Sequence, residues 1–275
     1  LKMDHSYIEV KGGGHSDVAW KNLPQIFEFF NKRQKGQVAA EEKDAKDTAE
    51  PKSTSPPKAT SKVPAITPGR TQSRTYFFKE AEKDMRYSLF VPRGYDKSKK
   101  YPLMVALHGL GSTDSGIMRY PGLTRLAQQH GYIVVAPMGY NSSGWYGIRR
   151  GRTGELSEKD VMNVLGIIRK EFAIDSNRIY LMGHSMGGGG TWHIGMKYPD
   201  IWAALAPVAP APPRNINDLT KIKHLPVIVV CGDQDGLVRS ARVWVARMKA
   251  LEMTYKYVEV KGGDHIRPAF QKLPD

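Results

Sequence analysis

The stretch YLMGHSMGGGGTW, residues 180–192, decides how the rest of this chain is read. An apolar run, residues 178–182, leads into Gly183-His184-Ser185-Met186-Gly187, and small, helix-compatible residues follow. A GxSxG pentapeptide between a strand and a helix puts its serine at a sharp turn, pushed out of the sheet, where the flanking glycines present no side chains to collide. Ser185 is therefore the candidate nucleophile. A serine hydroxyl is a poor nucleophile at neutral pH, so it needs a base to take its proton and a third group to orient that base. Two downstream stretches offer them. CGDQDGLV, residues 231–238, carries Asp233 and Asp235 after an apolar run, and VKGGDHI, residues 260–266, carries His265 after a glycine pair that lets the loop fold back.

Outward from Ser185, apolar runs and amphipathic segments alternate, the pattern of a largely parallel sheet flanked by helices. Residues 75–79 and 85–91 read as an opening hairpin, and residues 102–108 as a strand buried on both faces. A helix is predicted near 122–130 and a strand at 132–136. Residues 156–172 read as an amphipathic helix with Val161, Val164, Leu165 and Ile168 on one side. Strands at 203–208 and 226–231, a helix at 240–251 and a strand at 255–260 complete the sheet.

The amino end holds an internal repeat. LKMDHSYIEVKGGGHSDVAWKNLP from Leu1 aligns without a gap with LEMTYKYVEVKGGDHIRPAFQKLP from Leu251, sharing among others Tyr7, Glu9, Val10, Lys11, Gly12, Gly13 and His15. Such density implies a tandem array. Residues 1–33 are expected to be the strand, histidine loop and helix that end a preceding copy, and residues 71–275 a second copy lacking its own last helix. Between them, residues 34–70 are rich in Ala, Glu, Lys, Pro, Ser and Thr and have no aromatic residue, so they read as a flexible linker. The helix near 18–32, with Ile26, Phe27, Phe29 and Phe30, is expected to dock on the main domain, within one chain or exchanged between two in a domain-swapped dimer. His15 and His265 then compete for one position, and continuity of its strand favours His265.

Composition narrows the classes. The formal charge of +14 on 275 residues comes from scattered lysines and arginines with no recognition motif, so no nucleic-acid partner is expected. Arg149, Arg150 and Arg152 are the densest basic cluster and read as a solvated loop. Cys231 is the single cysteine, which rules out an intrachain disulfide. No apolar run approaches a membrane span. No histidine or cysteine spacing suggests zinc and no phosphate-cradling loop is present, so neither metal nor cofactor is expected. His108 and His184 flank glycines in tight turns and read as structural, and Gly187–Gly190 reads as a close-packing helix surface.

Taken jointly, YPLMVALHGLGS, RIYLMGHSMGG, PVIVVCGDQDGLV and VKGGDH resemble the α/β-hydrolases of the compact esterase type, similar to feruloyl esterases, polyhydroxyalkanoate depolymerases and prolyl-oligopeptidase-like hydrolases. The resemblance spans residues 71–275 and implies an α/β-hydrolase fold without a large lid, helices on both faces of the sheet, and a Ser-His-Asp triad. It implies Ser185, His265 and, as the second aspartate of GDxDxxV, Asp235, with Asp233 bracing the loop and Asp264 capping it. It implies an oxyanion hole from the backbone N–H groups of Leu110 and Met186. The aromatic loop 139–147 leaves the sheet near the site in this fold, making Tyr140, Trp145 and Tyr146 candidate substrate-binding residues. The resemblance implies an ester substrate, small or polymer-borne, and favours a secreted or periplasmic location. Residues 209–225 are too few for a helical lid, which favours short or bulky esters. A serine peptidase and an inactive binding module of a polysaccharide-degrading protein are the alternatives, the first weakened by the lack of a gating domain and the second by the intact triad residues.

Overall fold

The computed structural model describes residues 21–36 and 65–265. Among these residues eight strands form one sheet in the order β1-β2-β4-β3-β5-β6-β7-β8: β1 (Thr71–Phe78), β2 (Lys83–Phe90), β3 (Tyr101–Leu107), β4 (Ile133–Pro137), β5 (Ile174–His184), β6 (Ala204–Val208), β7 (Val227–Gly232) and β8 (Tyr255–Val260). β1 and β2 form an antiparallel hairpin, β2 is antiparallel to β4, and strands β3 to β8 run parallel. Among the described residues six helices accompany it: α1 (Leu23–Asn31), α2 (Asp114–Met118), α3 (Leu123–His130), α4 (Arg152–Glu171), α5 (Met186–Lys197) and α6 (Val238–Ala250).

Because successive strand side chains point to opposite faces, each central strand feeds two cores. Leu103, Val105, Leu107, Leu181 and Val229 pack with α4, α5 and α6, whereas Met104, Ala106, Tyr180, Met182 and Val230 pack with α1, α2 and α3. This is why the strands read as unbroken apolar runs. The α/β-hydrolase fold is thus present, its boundaries within a few residues of those expected. α2 went unread because a five-residue helix carries too little periodicity, and α4 starts at Arg152, ahead of the expected Leu156.

α1 packs against the sheet with Leu23, Ile26, Phe27, Phe29 and Phe30 buried. Phe30 stacks on Tyr180 with ring centroids 4.5 Å apart, and Phe27 meets Tyr132 edge-on at 5.2 Å. The Tyr132 hydroxyl donates to Asn31 Oδ1 at 2.9 Å. The expected linker is ordered at both described ends: the Lys35 N–H donates to the Asn177 carbonyl at 3.0 Å and the Gly69 N–H to that of Val91 at 2.7 Å. Its remainder, residues 37–64, lies outside the described residues, as do His15 and the rest of residues 1–20. Residues 209–225 contain a short 3₁₀ turn, Ile216–Ile222, whose Leu219 and Ile222 are buried in the core.

Glu158 on α4 is buried and accepts hydrogen bonds from His193 Nε2 (2.8 Å), Lys197 Nζ (2.6 Å) and the Tyr198 hydroxyl (2.7 Å), tying α4 to α5. Burial raises its pKa, but these three partners outweigh that and bring it down to about 2. A carboxylate depressed in the folded state adds stability above its unfolded pKa near 4.5 and loses it as pH falls toward 2. Glu158→Gln is therefore expected to lower the melting temperature at pH 7 and to shrink the stability loss between pH 4.5 and 2, measured by calorimetry across that range. Phe30→Ala is expected to lower the melting temperature by on the order of 10 °C, from a cost of about 3–5 kcal/mol for a buried Phe→Ala cavity. A change under about 2 °C would mean that α1 does not pack on the sheet in solution.

Candidate active site

β5 ends at His184 and α5 begins at Met186, so Ser185 is the single residue of the turn between them, with φ +58° and ψ −114°. The turn closes this tightly because a Cβ on Gly183 would collide with the Gly187 carbonyl, and one on Gly187 with the carbonyl of Leu107. Ser185 is thereby raised over the carboxyl ends of the parallel strands, where the loops after β3, β7 and β8 converge.

The loop after β8 brings His265 to it, with Ser185 Oγ and His265 Nε2 2.7 Å apart. His265 Nδ1 lies 2.8 Å from Oδ2 of Asp235, a fully buried carboxylate in the loop after β7. The other oxygen of Asp235 accepts the Leu237 N–H at 2.8 Å, and the Cys231 thiol points at Oδ2 from 3.8 Å. Burial and the neighbouring carboxylate push that thiol well above its usual pKa, so Cys231 stays a neutral donor. Asp233 instead accepts the Gly262 N–H at 2.7 Å, and its own N–H donates to the Val260 carbonyl, so it ties the Asp235 loop to the His265 loop. Asp264 is half-buried beside His265, whose ring turns to Asp235.

His184 lines the other side of His265. Its ring is tilted 30° against that of His265 at 5.5 Å, and its Nδ1 lies 2.9 Å from the Tyr120 hydroxyl. Burial, reinforced by His265, lowers its pKa to about 3, so it is neutral at ordinary pH and adds no charge beside His265. His108 places its ring nitrogens 2.8 Å from the carbonyls of Gly109 and Met138. Both histidines thus act within hydrogen-bonded turns, as their glycine neighbours suggested.

The turn after β3 approaches the serine closely: a Cβ on Gly109 would lie 3.5 Å from that of Ser185. Leu110 follows, its side chain more than half exposed at the rim. Met186 opens α5, so its N–H has no partner inside the helix and, with the helix dipole, suits an anion.

The aromatic loop requires corrections. Tyr146 is fully buried in the core, with its hydroxyl donating to the His108 carbonyl at 3.4 Å and its ring against Gly190, so it does not line an open pocket. Tyr140 turns outward to the hairpin, where Lys83 Nζ sits 4.0 Å from its ring centre. Trp145 lies half-buried under the Arg149 guanidinium, 3.6 Å from its ring centre, so one member of the basic cluster is stacked rather than merely solvated. Sequence reasoning also missed His193, which bonds Glu158, and Asp160, whose carboxylate accepts the Gly139 N–H at 2.6 Å. Among the described residues no group of three or more His, Cys, Asp or Glu could hold a metal ion, and no helix is long and apolar enough to cross a membrane.

Comparison with known proteins finds esterases among the chains similar to this one. Similar sequences include a bifunctional acetylxylan esterase/xylanase of Neocallimastix patriciarum, 28% identical over 52% of this chain and 20% of that protein, and a poly(3-hydroxyalkanoate) depolymerase C of Paucimonas lemoignei, 32% identical over 43% and 30%. The chain spans only a fifth to a third of the length of these relatives. Among solved structures, a thermostable esterase is 29% identical with a TM-score of 0.56 over 70% of this chain and 54% of the other. A ferulic acid esterase of Anaeromyces mucronatus, bound to ferulic acid, shares the fold at 20% identity and a TM-score of 0.61 over 74% and 88%. Residues 79–273 match the Esterase family model, described as "Putative esterase", and with most of its length inside that match the chain belongs to the Esterase family.

Proposed function

We propose that this protein is a serine carboxylesterase that hydrolyses short-chain or aromatic esters, of the acetyl or feruloyl type, through an acyl-enzyme on Ser185. The observation that carries the reading is the continuous chain from Ser185 Oγ to His265 Nε2 (2.7 Å) and from His265 Nδ1 to Asp235 Oδ2 (2.8 Å). In this reading His265 takes the Ser185 proton as Oγ attacks the ester carbonyl. Asp235 holds the imidazole with Nδ1 protonated and stabilises the imidazolium that forms. The tetrahedral oxyanion is stabilised by the backbone N–H groups of Met186 and Leu110, each worth roughly 3–4 kcal/mol in transition-state terms. His265 then returns the proton to the departing alcohol, and water repeats the sequence to release the acid and free Ser185.

The acetyl and feruloyl preference is supported by the names of the relatives and by the burial of Leu219 and Ile222, which anchors the turn Ile216–Ile222 to the core. The tandem reading of the chain is part of the proposal: residues 1–33 are the tail of a preceding copy. Support comes from the repeat itself and from α1, which opens with the repeated Leu23-Pro24 and packs on the sheet. The base is then His265 rather than its counterpart His15.

Hydrolysis of p-nitrophenyl acetate and butyrate is expected to fall at least about a thousandfold in Ser185→Ala and in His265→Ala, while His15→Ala keeps the wild-type rate. Comparable rates for wild type and Ser185→Ala would refute the reading, and preferential cleavage of a chromogenic peptide would favour a peptidase. Asp235→Asn is expected to cost about 10³–10⁴ in kcat because it leaves the wrong imidazole tautomer, and Asp233→Asn far less. The reverse order in folded variants would reassign the acid.

A further inference from the structure

Three buried polar residues at the start of α4, Ser157, Glu158 and Asp160, have no place in the chemistry proposed above. Glu158 joins two helices. Ser157 and Asp160 face a different neighbour, the strap 138–147 that crosses over the end of α4 after β4. Asp160 is wholly buried, and its two oxygens accept three hydrogen bonds: from the Tyr76 hydroxyl at 2.6 Å, from the Gly139 N–H at 2.6 Å and from the Tyr140 N–H at 3.3 Å. Ser157 Oγ accepts the Tyr146 N–H at 3.0 Å.

The strap held at these points is under backbone strain. Gly139, Tyr140, Trp145, Tyr146 and Gly147 all have positive φ, and three of them carry side chains that disfavour it. Such a conformation persists only when its surroundings over-determine it. The strap in turn grips the turn after β3 at three places. His108 Nε2 lies 2.8 Å from the Met138 carbonyl, the Gly111 N–H donates to the Ser142 carbonyl at 2.8 Å, and the Tyr146 hydroxyl donates to the His108 carbonyl. That turn carries the Leu110 N–H and lies against Ser185.

We propose that Asp160 is a positioning residue for ester hydrolysis: through its hydrogen bonds to the strap it fixes the turn 108–111, and with it the Leu110 N–H, at the distance the oxyanion requires. The proposal rests on the esterase reading above. Asp160 never approaches the reacting atoms and acts only through the strap. A carboxylate accepts from two adjacent backbone N–H groups and a phenol at once, which an amide of the same shape cannot match. The site also bears a cost for this group, since burial raises its pKa to about 6 against the pull of its three donors. A residue that merely filled space here would not have to carry that charge.

The test uses the whole chain with Asp160→Asn, Ser157→Ala and Tyr76→Phe. The first is expected to lower kcat about 10- to 100-fold, as an oxyanion donor misplaced by a fraction of an ångström would, with KM within about threefold. Affinity for a phenyl trifluoromethyl ketone, which forms an oxyanion on Ser185, is expected to fall by the same factor as kcat. Hydrogen–deuterium exchange is expected to rise in residues 138–147 and 108–112 and to stay unchanged in β7. If Asp160→Asn fails to fold, Ser157→Ala and Tyr76→Phe, which each remove one hydrogen bond of the clamp, decide the matter with smaller losses of the same pattern. Folded variants with kcat within twofold of wild type, or with unchanged exchange at 108–112, overturn the proposal. A wild type without Ser185-dependent esterase activity but with the exchange pattern intact would refute the esterase reading and leave the clamp standing.

Discussion

Everything at this site depends on one residue held where its backbone would not rest alone. Ser185, at φ +58° and ψ −114°, occupies a conformation that costs a residue with a side chain about 1–3 kcal/mol. The turn is held from three directions. The Ser185 N–H donates to the Val208 carbonyl at 2.9 Å, its carbonyl accepts the N–H groups of Gly189 and Ala211 at 3.0 Å each, and Gly183 and Gly187 let strand, helix and the end of β3 touch backbone to backbone. β6, the loop after it and the first turn of α5 thus share the strain of a single residue. This coupling explains why the four consecutive glycines of α5 are tolerated in a helix despite roughly 1 kcal/mol each in propensity: Gly187, Gly188, Gly189 and Gly190 press on Leu107, Pro210, Ala211 and Tyr146, and a methyl group at any of them would strike one of these neighbours.

The polar half of the site follows from loop closure. Asp235 and His265 are brought together because β7 and β8 are adjacent and parallel, which puts both carboxyl ends on one edge, and because Asp233 ties the two loops before either residue is reached. Asp235 has no exposed surface on its side chain, yet each oxygen has a donor, the condition under which a buried carboxylate is tolerated. A neutral His184 behind His265 completes the wall without adding charge.

Much of this was legible in the residues. Strands buried on both faces announce themselves as apolar runs, and glycine-bounded loops after such runs mark where Ser185, Asp235 and His265 belong. The repeat marked α1 as an element needing a groove, and its five large apolar residues, Leu23, Ile26, Phe27, Phe29 and Phe30, are all buried there. What could not be read depends on long-range packing. Ser157, Glu158 and Asp160 form part of SEKD at the start of an amphipathic helix, which by itself looks solvated; the strap folding over that end covers Ser157 and Asp160, and the partners on and after α5 cover Glu158. Trp145 and Tyr146 stand in a glycine-rich loop and look like pocket lining, but the bare surface of Gly190 gives Tyr146 a place in the core. His193 carries no local signal because its partner Glu158 is on another helix.

The most direct test of the account is the identity of the residue that becomes acylated. Incubating the active protein with a fluorophosphonate and mapping the tryptic peptides by mass spectrometry is predicted to find one phosphonyl group, on Ser185 within the peptide 179–197, with loss of labelling in His265→Ala. A label on any other residue, or full esterase turnover in a protein whose Ser185 is quantitatively blocked or replaced, would contradict it.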